Sequence, residues 1–167
     1  MIVPPRLILA PVDFSEFSNA AVDVAADLAA QFRSEVCLVY VVPMIPKLPP
    51  SVSMFKEGEY ENELHKEAEE KLQKPVEGLR QRGIKAEYEI GTANVVPQEI
   101  LRIAEHKDAD LIVIATHGAT GWNRMVFGSV AEKVVHLAHC PVLILKTHHE
   151  AKKRSEAESG EPARASG

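Results

Sequence analysis

The sequence predicts an α/β domain, a three-layer sandwich with a five-stranded, parallel, doubly wound sheet between helices. Two observations carry this expectation. Short apolar runs with little polar alternation recur along the chain, as strands covered on both faces require. Segments with apolar residues three and four apart lie between them, as helices packed on such a sheet require. Read in order, the elements run β-α-β-loop-α-β-α-β-α-β.

"LILAPV" (7–12) is the first strand and gives way to "DFSEFS". Asp13 and Ser15 both have side chains suited to capping the helix that follows, from about Ser18 to Phe32. Ala21, Ala25, Leu28, Ala29 and Phe32 share one face of that helix. "EVCLVYVVP" (35–43) is a second buried strand, rich in β-branched residues and stopped by Pro43. The proline-rich segment 44–55 is expected to be a loop, a candidate flap. Residues 57–82 are heavily charged, with Leu64, Ala68, Leu72, Val76 and Leu79 tracking one face of a helix. Pro75 is expected to kink that helix or to start a new turn, and Gly83 to close it.

"KAEYEIG" (85–91) alternates and reads as a strand with one less buried side. The next helix, 95–107, aligns Val96, Ile100, Ile103 and Ala104 and carries Pro97 in its first turn, where proline is tolerated. "LIVIAT" (111–116) is the fourth strand, a helix from about Gly128 to Ala138 follows, and "PVLILK" (141–146) is the fifth. Residues 147–167 lack apolar periodicity and are expected to be a disordered tail on a domain spanning 1–146.

The 167 residues suit one domain, and 46% hydrophobic with 26% charged content is ordinary for a globular chain. A net charge of -5 gives no field that would draw the protein to nucleic acid or anionic lipid. Cys37 and Cys140 are the only cysteines, which argues against a disulfide scaffold and for a reducing compartment. "MIVPPRLILAPVDFS" has one basic residue and a short apolar run broken by Pro11, so it reads as neither signal peptide nor membrane span. The expected location is the cytoplasm.

In a parallel doubly wound sheet, ligands bind beyond the carboxyl ends of the strands where the strand order reverses. Three places qualify: Asp13, Val41 to Pro43, and the glycine-bearing stretch "IVIATHGATGWNRMVFGSVAEKVV" (112–135). Gly118 follows the fourth strand, where glycine permits positive φ and a close ligand approach. Gly128 and Ser129 open the last helix, whose free first-turn amides and dipole favour phosphate. The Ser129 hydroxyl suits a helix cap, a phosphate oxygen or a metal ion, and Arg124 would pair with the same charge. The stretch is neither a Walker A loop nor G-x-G-x-x-G, and glycine spacing alone leaves a plain strand-to-helix connection equally open. His117 fits a turn histidine bonded to backbone better than a phosphate contact. His136, His139 and Cys140 have no carboxylate or second pair at a known ligand spacing, so no metal cluster is expected there.

The same stretch resembles the nucleotide-binding signature of the universal stress proteins, G-x-x-G-x9-G-S/T. Here it reads Ala115-Thr116-His117-Gly118, then "ATGWNRMVF", then Gly128-Ser129. "LILAPVDFSEFS" and "GSVAEKVVHLAHCPVLILK" also resemble that family, and the likeness covers residues 5 to 146. The resemblance implies a Rossmann-like fold of the adenine nucleotide alpha hydrolase-like type, with ATP as ligand and Mg2+ or Mn2+ as its companion. It implies that Asp13, reached through Pro11 and Val12, meets the adenine or ribose edge and that backbone at Val41 reads the adenine. It places Ile114 and Ala115 against the ligand, and Gly118, Gly128, Ser129 and Val130 around the phosphates; His117 and Arg124 join these candidates through their place in the stretch, not through the resemblance. Ala115 departs from the signature's first glycine; its methyl is tolerated at negative φ and clashes at positive φ.

The resemblance thus implies an ATP-binding regulatory or stress-response module rather than a metabolic enzyme, read by a protein partner that the sequence does not identify. Two alternatives stand beside it. One is a slow ATP hydrolase or nucleotidyl transferase on the same fold, for which no convincing base is seen. The other is an interaction protein whose pocket Ala115 has closed. The apolar last strand would be a sheet edge needing cover, and the family's habit of pairing it implies a homodimer through residues 141–146.

Overall fold

The computed structural model describes residues 4–44, 57–116 and 128–146. Its elements are β1 (Leu7–Pro11), α1 (Glu16–Phe32), β2 (Glu35–Pro43), α2 (Glu57–Gln81), β3 (Ala86–Ala93), α3 (Val96–His106), β4 (Leu111–Ala115), α4 (Ser129–Leu137) and β5 (Val142–Leu145). The five strands form one sheet in the order β3-β2-β1-β4-β5, and every pairing is parallel. This is the expected doubly wound α/β fold. The expectations for a loop over 45–55 and a tail over 147–167 fall outside the described residues, as do His117, Gly118 and Arg124.

Side-chain alternation along the strands produces the three layers. Ile8, Ala10, Val36, Leu38 and Val113 face one side, where they meet Ala21 and Ala25 of α1 and Leu72 and Val76 of α2. Leu9, Cys37, Val39, Val41, Ile112 and Ile114 face the other, against Ile100 and Ile103 of α3 and Ala131 and Val134 of α4. The middle strand is the best covered: Ile8, Leu9 and Ala10 are fully buried. Its start is held by Asp110, whose carboxylate accepts the Arg6 amide at 2.8 Å and the Leu7 amide at 3.0 Å.

Three local expectations are corrected. Of the two outcomes expected at Pro75, a new start is ruled out, because α2 runs without interruption from Glu57 to Gln81. Ala68, Leu72, Val76 and Leu79 are all buried on one face across the proline. Burying Leu72 and Val76 is worth about 1.5–3 kcal/mol each, enough to offset the ~3 kcal/mol a mid-helix proline costs. Helix α1 begins at Glu16 rather than near Ser18, because Ser15 is the cap and accepts from the Ser18 amide. Phe32, assigned to the buried face, is 40% exposed. It sits in the last turn, immediately before Arg33 turns the chain at φ 59. Gly83 does close α2: it takes φ +78 while the Ile84 amide donates to the Leu79 carbonyl at 3.1 Å.

Candidate functional site

Strand order reverses between β1 and β4, since β2 and β3 build outward from one side of β1 and β5 lies beyond β4. The two central strands share register at Ile8↔Leu111 and Leu9↔Ile112. Past that point a cavity of about 320 Å³ lies between Pro11–Asp13 and Ile114–Thr116, with Gly128–Ala131 on its border. Small-molecule pockets fall in the range of about 300–1,000 Å³ and concentrate at such switch points.

Nine of the residues singled out from sequence line this cavity: Pro11, Val12, Asp13, Val41, Ile114, Ala115, Gly128, Ser129 and Val130. They come from the ends of β1, β2 and β4 and the start of α4, segments that only the topology brings together.

Asp13 is built into the β1–α1 turn. Its Oδ1 accepts the Ser15 amide at 3.0 Å and the Ser15 hydroxyl at 2.5 Å. Ser15 Oγ in turn accepts the Ser18 amide at 3.2 Å, and Ser18 Oγ accepts the Asp13 amide at 3.3 Å while donating to the Ser15 carbonyl at 3.1 Å. The capping reading of Ser15 therefore holds, and Asp13 orients the cap from two residues further out. The residue between them, Phe14, has φ 63, a left-handed conformation that bulky side chains rarely adopt.

Val41 owes its place to a missing neighbour. The Val12 amide donates to the Val39 carbonyl at 2.8 Å, next to the end of β1 at Pro11. Peptide groups two residues apart on a strand face the same side. The N–H and C=O of Val41 therefore point to the side where β1 has ended, and Val41 lines the cavity there. One donor and one acceptor on adjacent lines of a strand edge match the edge of a planar base.

Helix α4 begins differently from α1. Gly128 is its N-cap at φ -60 and ψ 142, and among the described residues no side-chain cap bond is made there. The Gly128 amide donates to the Thr116 carbonyl at 2.7 Å, which sets the helix start beside the end of β4. First-turn amides and the helix dipole suit an anion, and Glu132 in the same turn is the one described acidic group working against it.

Ala115 does not take a positive φ. It closes β4, in register with Leu145, and the described non-glycine residues with positive φ are Phe14, Arg33 and Asp108. Its methyl belongs to the core cluster on the α1 side, so the extra carbon is accommodated without backbone strain.

Several cavity residues were not picked out from the sequence, among them Ser18, Tyr40, Val96, Ile100 and Thr116. Ser18 and Thr116 are buried polar residues, 5% exposed each. Ser18 was legible as a hydroxyl one helical turn after a serine cap. Val96 and Ile100 were read only as the packing face of α3, and nothing local shows that part of that face lines a cavity. Among the described residues no group of three or more His, Cys, Asp or Glu is placed to hold a metal ion.

The fold and this crevice define a parallel α/β domain with a cavity at the switch point of its sheet. The sequence pattern of the universal stress protein family matches residues 5–146. The universal stress protein MJ0531 of Methanocaldococcus jannaschii is 41% identical over 144 residues, covering 84% of this chain and 82% of its own. The universal stress protein YxiE of Bacillus subtilis is 34% identical, over 83% of this chain and 97% of its own. In structure, the protein MJ0577 superposes with a TM-score of 0.76 at 30% identity, over 89% of this chain and all of the other. A universal stress protein of Archaeoglobus fulgidus solved in complex with dAMP shares the fold at a TM-score of 0.60 and 23% identity, over 86% of this chain and 98% of its own. The chain belongs to the universal stress protein family.

Proposed function

We propose that this protein binds ATP in the cavity between the ends of β1 and β4 and acts as a nucleotide-dependent regulatory module of the stress response. The observation that carries the reading is the convergence of three unlike groups on one cavity. The Val41 peptide offers a donor and an acceptor to a base, the Asp13 carboxylate offers acceptors to sugar hydroxyls, and the start of α4, with no side-chain cap among the described residues, offers amides to phosphate. The apolar walls at Val39, Ile100 and Ile114 suit the faces of a purine. In this arrangement Gly128, Ser129 and Val130 hold the phosphates, and Mg2+ or Mn2+ comes with them. A bound ion would neutralise phosphate charge, and the Ser129 hydroxyl would be a protein oxygen able to share it. ATP then biases the segments around the cavity toward one arrangement that a partner protein reads, to the extent that it binds that arrangement more tightly.

Among the described residues, the order β3-β2-β1-β4-β5 leaves β5 paired on one side only, by β4. We infer that a second copy covers that edge, giving a homodimer. No helix among the described residues is long and apolar enough to cross a membrane.

The test is direct. Protein purified without added nucleotide is denatured and the released small molecules are identified, and emptied protein is titrated with ATP and Mg2+ or Mn2+ by calorimetry. Released adenine nucleotide, or saturable heat with one site per chain, is expected. No release, no heat and no thermal stabilisation would overturn the reading.

A further inference from the structure

Phe14 stands between Asp13 and Ser15 in a left-handed conformation, φ 63. Its ring lies against Tyr40, with centroids 4.8 Å apart and planes at 38°. The Lys71 ammonium of α2 lies 5.5 Å from the same ring's centroid, and Glu67 accepts from that ammonium at 2.6 Å. Phe14, Tyr40, Ala68 and Lys71 surround a small cavity of about 70 Å³ that shares Tyr40 and Pro43 with the larger one. Two elements, β2 and α2, thus hold one side chain whose backbone lies in the left-handed region. Such outliers persist only where surrounding structure over-determines them. The turn they fix is the one in which Asp13 Oδ1 reaches the Ser15 amide and hydroxyl.

We propose that Phe14 is a positioning residue: its ring, clamped between Tyr40 and Lys71, holds the turn that aims the Asp13 carboxylate at the cavity. This rests on the nucleotide reading for its consequence but not for its geometry. Phe14 touches no ligand in this scheme; it acts through Asp13. The role also makes α2 part of the site, although Lys71 and Glu67 lie outside the main cavity.

Full-length protein carrying Phe14→Ala or Phe14→Tyr tests it. Alanine keeps the Cβ, and so the same reluctance toward positive φ, and removes only the ring. Without ligand, the Ser15 amide signal in a nitrogen–proton spectrum should shift in Phe14→Ala, its exchange should quicken about tenfold, and Phe14→Tyr should restore both. With ligand, Phe14→Ala should weaken ATP about tenfold, leave tripolyphosphate binding unchanged, and add no loss to Asp13→Ala. An unmoved Ser15 signal overturns the proposal. So does an equal loss for ATP and tripolyphosphate, or a loss that adds to Asp13→Ala. If the wild-type protein takes up no ATP while the Ser15 signal still moves, the nucleotide reading falls and the clamp on Asp13 stands.

Discussion

The carbonyl of Thr116 accepts the amide of Gly128 at 2.7 Å, joining the end of β4 to the start of α4. Gly128 has φ -60, already close to the value of about -65° that proline enforces. Gly128→Pro therefore removes the donor with little backbone conflict, whereas Gly128→Ala keeps it. The proline variant should be less stable than the alanine variant by about 1 kcal/mol, the usual net worth of such a bond. For a chain of this size that is about 2–4 °C in Tm. Superimposable melting curves would show that the link holds nothing together.

Asp13 serves the fold and, in our reading, the ligand. Replacing it separates the two. Asp13→Asn retains an oxygen acceptor for the Ser15 amide and hydroxyl, so its melting temperature should stay near that of the wild type. Asp13→Ala leaves both donors without that partner and should cost about 1 kcal/mol. Both variants should lose ATP affinity by about tenfold or more, since the carboxylate charge is gone from each. An asparagine variant that binds ATP as well as the wild type would remove Asp13 from the site.

The fold was legible because its strands are short apolar runs and its helices carry continuous apolar stripes. A stripe can mislead at its ends: Phe32 completes the spacing of α1 yet is 40% exposed in its last turn. Pro75 misled in the opposite sense, since a local penalty was outweighed by Leu72 and Val76 in the core. For the site, loop-borne groups such as Asp13, Gly128 and Ser129 stood out. Val41 did not stand out chemically, because its value lies in a peptide exposed by the end of another strand, a fact of topology. The role of Phe14 was illegible for the same reason, as its partners come from β2 and α2.

Acid should destabilise the protein through two carboxylates held below their ordinary range. The Arg102 guanidinium, bonded twice to Glu99, lowers that carboxyl against a smaller effect of burial. Partial burial pushes Asp110 up, but the Leu7 and Arg6 amides and the Arg6 guanidinium together outweigh it, and the net direction is down. A depressed folded pKa means stability that is complete above the unfolded value and lost as pH falls through the folded one. With unfolded values of about 3.9 and 4.3, stability should be flat above about pH 5 and fall below about pH 4. Asp110→Asn should make that fall shallower in urea titrations at stepped pH. An unchanged slope would mean that Asp110 titrates alike in both states.

The two thiols should differ in reactivity. Cys37 is fully buried in β2, and burial pushes its thiol up to about 12. Cys140 is part-buried beside β5, and burial pushes it up as well. Since the thiolate is the reactive form, Ellman's reagent at about pH 8 should modify Cys140 slowly and leave Cys37 untouched until denaturant is added. Rapid modification of both in native protein would mean that β2 opens far more readily than its burial implies.

The proposed dimer makes a prediction that rests on which peptides of β5 are already used. The Thr116 amide donates to the Leu145 carbonyl, and the Ile112 amide donates to the Pro141 carbonyl. Residues 141, 143 and 145 therefore turn their peptides toward β4, and Val142 and Ile144 turn theirs to the open edge. Leu143 is 38% exposed, and Val135 and Leu137 of α4 are 39% and 55% exposed nearby in sequence. An edge of this kind is a liability unless covered. Val142→Pro deletes an outward amide without touching the β4 ladder, and Leu143→Lys places a charge on the apolar strip. The wild type should sediment as a dimer at micromolar concentration and both variants should shift toward monomer, with far-ultraviolet circular dichroism unchanged. If the wild type is itself a monomer, β5 is not the interface; if the variants remain dimeric, the two copies meet elsewhere.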